Sequence, residues 1–253
     1  MRKHTLILLF VFLAAIAHAQ QVADHRNDFA VGFSGGYSLT DMRFLPKVSQ
    51  TMHGGFVLGV TGRYTCEKYY SSICALQAEV NINQMGWKEN IIDYNEDPVI
   101  NQVTGLPEEY QRTITYVQVP LLARLGWGRE KKGFQFFFQA GPQFGYCLSE
   151  KTKMNFKLAE RNFEDRVNQT IAQDTMPVEN KFDFGITAGI GLEYSHPKVG
   201  HFLLDVRYYY GLGNIYGDSK RDNFGTSNFR NIVVKLAYLF DIVRTKEKKK
   251  APL

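Results

Sequence analysis

Apolar and polar residues alternate with a period of two along most of this chain. The stretch YVQVPLLARLGW, Tyr116–Trp127, sets the pattern: Val117, Val119, Leu121, Ala123 and Leu125 fall on one parity, and Tyr116, Gln118, Pro120, Leu122 and Arg124 on the other. Alternation of this kind marks a strand with two unlike faces. The same reading predicts eight strands: Phe29–Leu39, Gly55–Thr65, Ile73–Met85, Thr113–Leu125, Phe134–Leu148, Phe182–Tyr194, His201–Leu212 and Phe229–Phe240. Each exceeds the usual globular strand and meets the roughly 9–11 residues that a tilted strand needs to cross a bilayer.

The connections sort by length. Cys66–Ser72, Gly126–Gly133 and Ser195–Gly200 are short, whereas Thr40–Gly54, Gly86–Arg112, Ser149–Lys181 and Gly213–Asn228 are longer. Short turns at one end and long loops at the other are the arrangement of an outer-membrane barrel with periplasmic turns. One parity carries Phe33, Phe56, Leu58, Leu76, Phe136, Phe184, Leu204, Leu236 and more than twenty other bulky apolar residues; the opposite parity is small or polar. Eight strands enclose an interior just wide enough to be filled by side chains, so that many large groups cannot point inward. Turned outward into water, they would form an adhesive patch. Turned outward into lipid, they are at home. The alternative is a β-sandwich burying the apolar face between two sheets. The expected fold is therefore all-β, an eight-stranded antiparallel up-and-down transmembrane barrel.

The polar face carries Arg63, Arg124, Arg207 and Lys235 against Glu79, Asp183, Glu193 and Asp205. Charges withdrawn from water need partners, and balanced signs predict an interlocked network in the lumen rather than an open conduit. Tyr37, Tyr64, Tyr146, Tyr194, Tyr210, Tyr238 and Phe240 lie near strand ends, where interfacial girdles form. Pro120 and Pro142 lie inside strands, and a β-bulge is expected near each.

Composition adds the compartment. Residues 1–19 read as a signal peptide, with Arg2 and Lys3, an apolar run from Leu6 to Ile16, and Ala17-His18-Ala19 before Gln20. Residues 20–28 are then a periplasmic segment, 29–240 the barrel and 241–253 a basic periplasmic tail. Removing Arg2 and Lys3 leaves 28 basic residues against 25 acidic, too slight an excess for a nucleic-acid partner. The surrounding partner is membrane lipid; a protein partner would meet the long loops. No later apolar run suits a transmembrane helix.

Candidate chemistry is sparse. Cys66 and Cys74 flank the first short turn on matching parity; a disulfide and two thiols both stay open. No spacing suggests a metal, and no cofactor is expected. His25, His53, His196 and His201 sit in no readable nucleophile motif, so a lipid-modifying outer-membrane enzyme is the weaker alternative. GITAGIGLEY precedes no helix, and its glycines are expected to pack the lumen rather than hold phosphate. The loop Trp87–Gln111 is acidic and reads as solvated.

YVQVPLLARL, together with QAEVNINQMGWKEN (Gln77–Asn90), FQAGPQFGYCLSE (Phe138–Glu150), KFDFGITAGIGLEY (Lys181–Tyr194) and RYYYGLGNIY (Arg207–Tyr216), resembles the PorT-like outer-membrane β-barrel proteins of Bacteroidota. The resemblance spans nearly the whole mature chain. It implies a porin-like barrel without catalytic residues, in a family whose founding member is tied to protein secretion across the outer membrane. The expected roles are structural or surface interaction, with a small-solute channel or a secretion accessory as alternatives.

Overall fold

The computed structural model describes residues 27–69, 71–217 and 222–244. The signal peptide, most of the residue 20–28 segment and the tail beyond Arg244 lie outside them. The strands are β1 Asp28–Leu45, β2 Gln50–Thr51, β3 His53–Tyr69, β4 Ser72–Glu89, β5 Tyr110–Gly128, β6 Gly133–Met154, β7 Phe182–His196, β8 Gly200–Gly211 and β9 Thr226–Val243. Apart from the two-residue β2, which extends the edge of β4, they form an antiparallel ring in the order β1-β3-β4-β5-β6-β7-β8-β9. The ring closes where β9 pairs with β1, from Phe29↔Val243 to Leu45↔Thr226. No helix among the described residues is long and apolar enough to cross a membrane, which says nothing of a crossing by strands.

The parity argument holds around the ring. Phe33, Phe56, Leu58 and Leu236 point outward, each with more than 60% of its surface exposed, while Arg63, Glu79, Arg124, Glu193 and Lys235 point inward and are buried. Rings pair on the outer surface towards both ends. Phe134–Tyr194 (5.0 Å) and Phe202–Tyr238 (5.1 Å) lie near the short turns, and Tyr37–Phe56 (5.7 Å) and Phe144–Phe182 (6.3 Å) towards the long loops. Gly128 (φ 131°) and Gly133 (φ 123°) flank the tight 129–132 connection, where an L side chain would be strained.

Two expectations change and one open alternative is resolved. Neither Pro120 nor Pro142 causes a bulge. Beside Pro120 the β4–β5 ladder skips from Ala78↔Leu121 to Asn81↔Gln118 in unchanged register, and beside Pro142 the β5–β6 ladder resumes at Ala123↔Ala140 in the register of Pro120↔Gln143. A missing N–H removes ladder bonds locally without adding a residue, so the faces do not switch. The bulges fall instead at Phe29/Ala30, Thr65/Glu67 and Thr115/Tyr116. Second, Cys66 and Cys74 are free thiols. Cys66 is the extra residue of the Thr65/Glu67 bulge, and Cys74 stands opposite Glu67 instead. Third, the strands outrun the expected barrel: Asp241–Val243 belong to β9 rather than a tail, and β1, β4, β5 and β6 continue past the apolar belt at the long-loop end.

Those extensions carry a crown with its own core. Above the polar lumen the inward face turns apolar, with Met42, Met85, Ile114, Tyr116 and Phe229 all at or near zero exposure, and Tyr116 meets Phe229 edge-on at 5.5 Å. Higher still, Phe44 packs against Trp87 (5.3 Å) and Phe224 (5.0 Å), and Tyr216 stacks on Phe224 (5.5 Å). Strand extensions and loops 90–109, 155–181 and 212–225 thus share one apolar cluster.

Candidate functional site

Two ion-pair clusters fill the lumen. In the first, nearer the long loops, Glu79 of β4 receives Arg207 of β8 bidentately, with Nη1 2.8 Å from Oε2 and Nη2 2.7 Å from Oε1, and Lys235 of β9 approaches Oε2. Arg207 Nη2 also reaches Asp205 Oδ2 at 2.7 Å. The Gln77 and Asn81 amides donate to Glu79 at 2.6 and 3.0 Å, so both carboxylate oxygens are saturated. Such crowding is what a buried carboxylate requires.

The second cluster lies towards the short turns. Arg63 Nη1 and Arg124 Nη2 converge on Glu193 Oε2, the former at 2.7 Å. The Arg124 guanidinium lies 3.7 Å over the Phe137 ring, a close cation–π contact. Glu193 Oε1 faces His201 Nδ1 at 2.6 Å, and His201 Nε2 faces Asp241 at 3.1 Å. Two β7 glycines make the room: a Cβ on Gly191 would stand 2.3 Å from the Phe137 ring, and one on Gly189 2.8 Å from Arg207 Cγ. The lumen-packing reading of GITAGIGLEY is thereby met.

Seven of the eight expected lumen charges join these clusters. Asp183 does not: it lies beneath the apolar plug, and its partner is the Tyr209 hydroxyl at 2.7 Å rather than a cation. His201 and Asp241 were missed, although the outward Phe202 and Phe240 beside them imply that they point inward. Ser195 Oγ is 2.8 Å from His201 Nδ1, so a serine, a histidine and an aspartate do meet here. That nitrogen also faces Glu193, and the other faces Asp241; a ring donating to two carboxylates has no lone pair to accept the serine proton. Ser195 is moreover fully buried.

The lumen is shut twice, by ion pairs and by the apolar plug. Between them a cavity of about 20 Å³, lined by Asn81, Gln118, Gln143 and Arg207 among others, is the size of one water. A wider recess of about 220 Å³, bordered by Arg63, Arg124, His201, Asp241 and Arg244, opens at the short-turn end and stops at the second cluster.

The crown is pinned by polar anchors. Arg112 Nη1 donates to the carbonyls of Gln173 (3.0 Å) and Met176 (2.5 Å) and to the Tyr216 hydroxyl (3.2 Å), clamping loop 155–181. Glu108 joins loop 90–109 to loop 155–181 through Arg166 (2.6 Å) and the Asn162 amide (2.8 Å). The acidic loop is therefore not simply solvated: Glu89 and Glu108 are buried. Burial and the neighbouring Asp174 push the Glu89 carboxyl well above the usual range, and burial raises Asp174 as well. Both lie beyond the lipid-facing run of β4, which ends at Ile82. Apolar side chains are nonetheless offered at the rim, where Tyr94 is 77% and Val103 67% exposed. Among the described residues no cluster suits a metal.

A closed antiparallel ring with a greasy exterior and a saturated polar interior defines a membrane β-barrel protein. Residues 18–217 match the outer membrane protein beta-barrel domain family, and the chain belongs to it. Among solved structures it is similar to OprG of Pseudomonas aeruginosa, at 13% identity and a TM-score of 0.44 over 85% of this chain and 97% of that one. It is also similar to Neisserial surface protein A, at 10% and 0.42 over 83% and 95%. The attachment invasion locus protein Ail of Yersinia pestis follows, at 11% and 0.35 over 84% and 99%. No curated protein matches the chain.

Proposed function

We propose that the protein is a non-enzymatic surface-interaction barrel of the outer membrane that works through its crown, the long loops facing the cell exterior. The carrying observation is the contrast between the two ends of the lumen axis. The interior is closed by Glu79–Arg207–Lys235 and again by Met85, Ile114, Tyr116 and Phe229. The crown, by contrast, is held by Arg112 and Glu108 and still exposes Tyr94, Val103, Leu106 (58%) and Ile100 (47%). Apolar groups set on an ordered rim are what a protein partner buries. The segments quoted above support a PorT-like barrel of Bacteroidota, and the N-terminal pattern supports export by a signal peptide. Planar-bilayer recordings of the purified protein should show no discrete openings; unitary conductance would replace this reading with a small-solute channel. Photo-crosslinkers at Tyr94 and Val103 should capture a discrete cell-surface protein. Impaired display of exported proteins in a deletion strain would favour the secretion-accessory role instead.

A further inference from the structure

The outer surface of β4, β5 and β6 changes character row by row towards the long loops. The ladder pairs Ile82, Val117 and Tyr146 in one outward row, then Gln84, Thr115 and Ser149, then Gly86, Thr113 and Lys151, and lastly Lys88, Gln111 and Lys153. The first row is apolar and lipid-facing. Successive outward rows are two residues apart, and strands of such barrels tilt by roughly 40°, so each row rises ~5 Å along the membrane normal. Lys151 therefore stands ~10 Å and Lys153 ~15 Å above the last apolar row. The polar layer of one leaflet is roughly 5–8 Å deep, and a lysine stem reaches down about 6 Å, which brings the Lys151 ammonium to headgroup height and the Lys153 ammonium to its outer edge.

These cations are unspent. Lys151 and Lys153 are exposed, and neither is paired with a carboxylate among the described residues. The acid between them, Glu150, points the other way, onto Arg112. The outward acid Glu109 lies 3.5 Å from Lys88 at the end of the last row. Across the barrel the outward Arg230 is already neutralised by Asp41.

We propose that this flank binds the phosphate groups of a phosphorylated lipid in the leaflet at the long-loop end, with Lys151 and Lys153 as phosphate ligands and the apolar row beneath them against the acyl chains. The polar Gln84, Thr115 and Ser149 lie between as neutral hydrogen-bonding groups at the glycerol or sugar level. Membrane embedding is all this requires; it is independent of any partner on the crown.

The test is native mass spectrometry of the purified barrel in detergent with diphosphorylated lipid A, and with the same lipid enzymatically dephosphorylated. The wild-type protein should retain the phosphorylated form about tenfold more strongly, in keeping with two lysines at a charged surface. K151Q/K153Q should lose that preference. K131Q/K132Q, which removes two charges at the short-turn end, should keep it. Both substituted pairs are exposed, and heat-modifiable gel migration confirms that each variant is folded. No preference in the wild type, an undiminished preference in K151Q/K153Q, or an equal loss in both variants would overturn the proposal.

Discussion

Arg207 and Glu79 meet in the barrel interior through two parallel hydrogen bonds of 2.7 and 2.8 Å, from strands β8 and β4 that are not neighbours in the ring. The pair therefore bridges the lumen rather than decorating one wall. Exchanging the carboxylate for an amide would leave Asp205 as the one carboxylate on Arg207 and offer Lys235 only a neutral carbonyl oxygen. E79Q is expected to destabilise the folded barrel by roughly 3–5 kcal/mol, the usual effect of breaking a buried ion pair from one side. In E79Q/K235M the stranded ammonium is gone, so the double variant should be more stable than E79Q. Urea unfolding midpoints in lipid vesicles measure both; an E79Q/K235M midpoint below that of E79Q would contradict the account.

Gly191 admits Phe137 to the lumen. G191A would place a methyl 2.3 Å from the ring and 2.5 Å from the Leu204 carbonyl. A loss of roughly 1–3 kcal/mol is expected from overpacking. Adding F137L should recover only part of it, because the backbone carbonyl remains. Thermal shifts of heat-modifiable migration check the ranking.

Arg112 is the clamp on loop 155–181. R112M should free that loop while leaving the barrel intact, since Arg112 stands above the lipid-facing row of β5. Limited trypsin digestion should cut within 155–181 at least several times faster than in the wild type, with unchanged migration of the unboiled barrel. Equal cutting rates would show that the aromatic cluster alone holds the loop.

The Glu89–Asp174 pair makes the crown sensitive to alkali. Both carboxyls are raised in the folded state, so from about pH 4 upward the unfolded crown loses protons that the folded crown keeps. Fewer protons on the unfolded side mean that stability falls as pH rises, through neutrality, until the folded groups themselves ionise. Trp87, fully buried in the crown, reports this once Trp127 is replaced by Phe. Acrylamide quenching should increase between pH 5 and pH 9 in W127F, and increase much less in W127F/E89Q, where Asp174 alone stays raised by burial.

Alternation alone revealed the ring, its outward belt and seven members of the lumen network, because a period of two fixes the face of every residue once one face is known. Pro120 suggests a bulge from sequence because a lost ladder hydrogen bond and a shifted register leave the same mark in the pattern. Asp183 departs from the expected network because parity gives the face and not the height: it lies level with Tyr209, clear of the arginines. The crown was hardest to read. Met42, Phe44, Met85 and Trp87 are spaced as inward residues, yet only the folded loops show that their face closes over itself above the membrane. Arg112 reaches Gln173 across 61 residues, a link no local pattern carries.

The upper charge cluster also limits how the barrel can be made. Its carboxylate comes from β4, while Arg207 and Lys235 come from β8 and β9, which join the ring last in chain order. A sheet threaded into hydrocarbon one hairpin at a time would drag Glu79 across acyl chains before its counter-ions had been delivered, a step costing several kcal/mol. Biogenesis must accordingly shelter the nascent sheet until its first and final strands have zipped together.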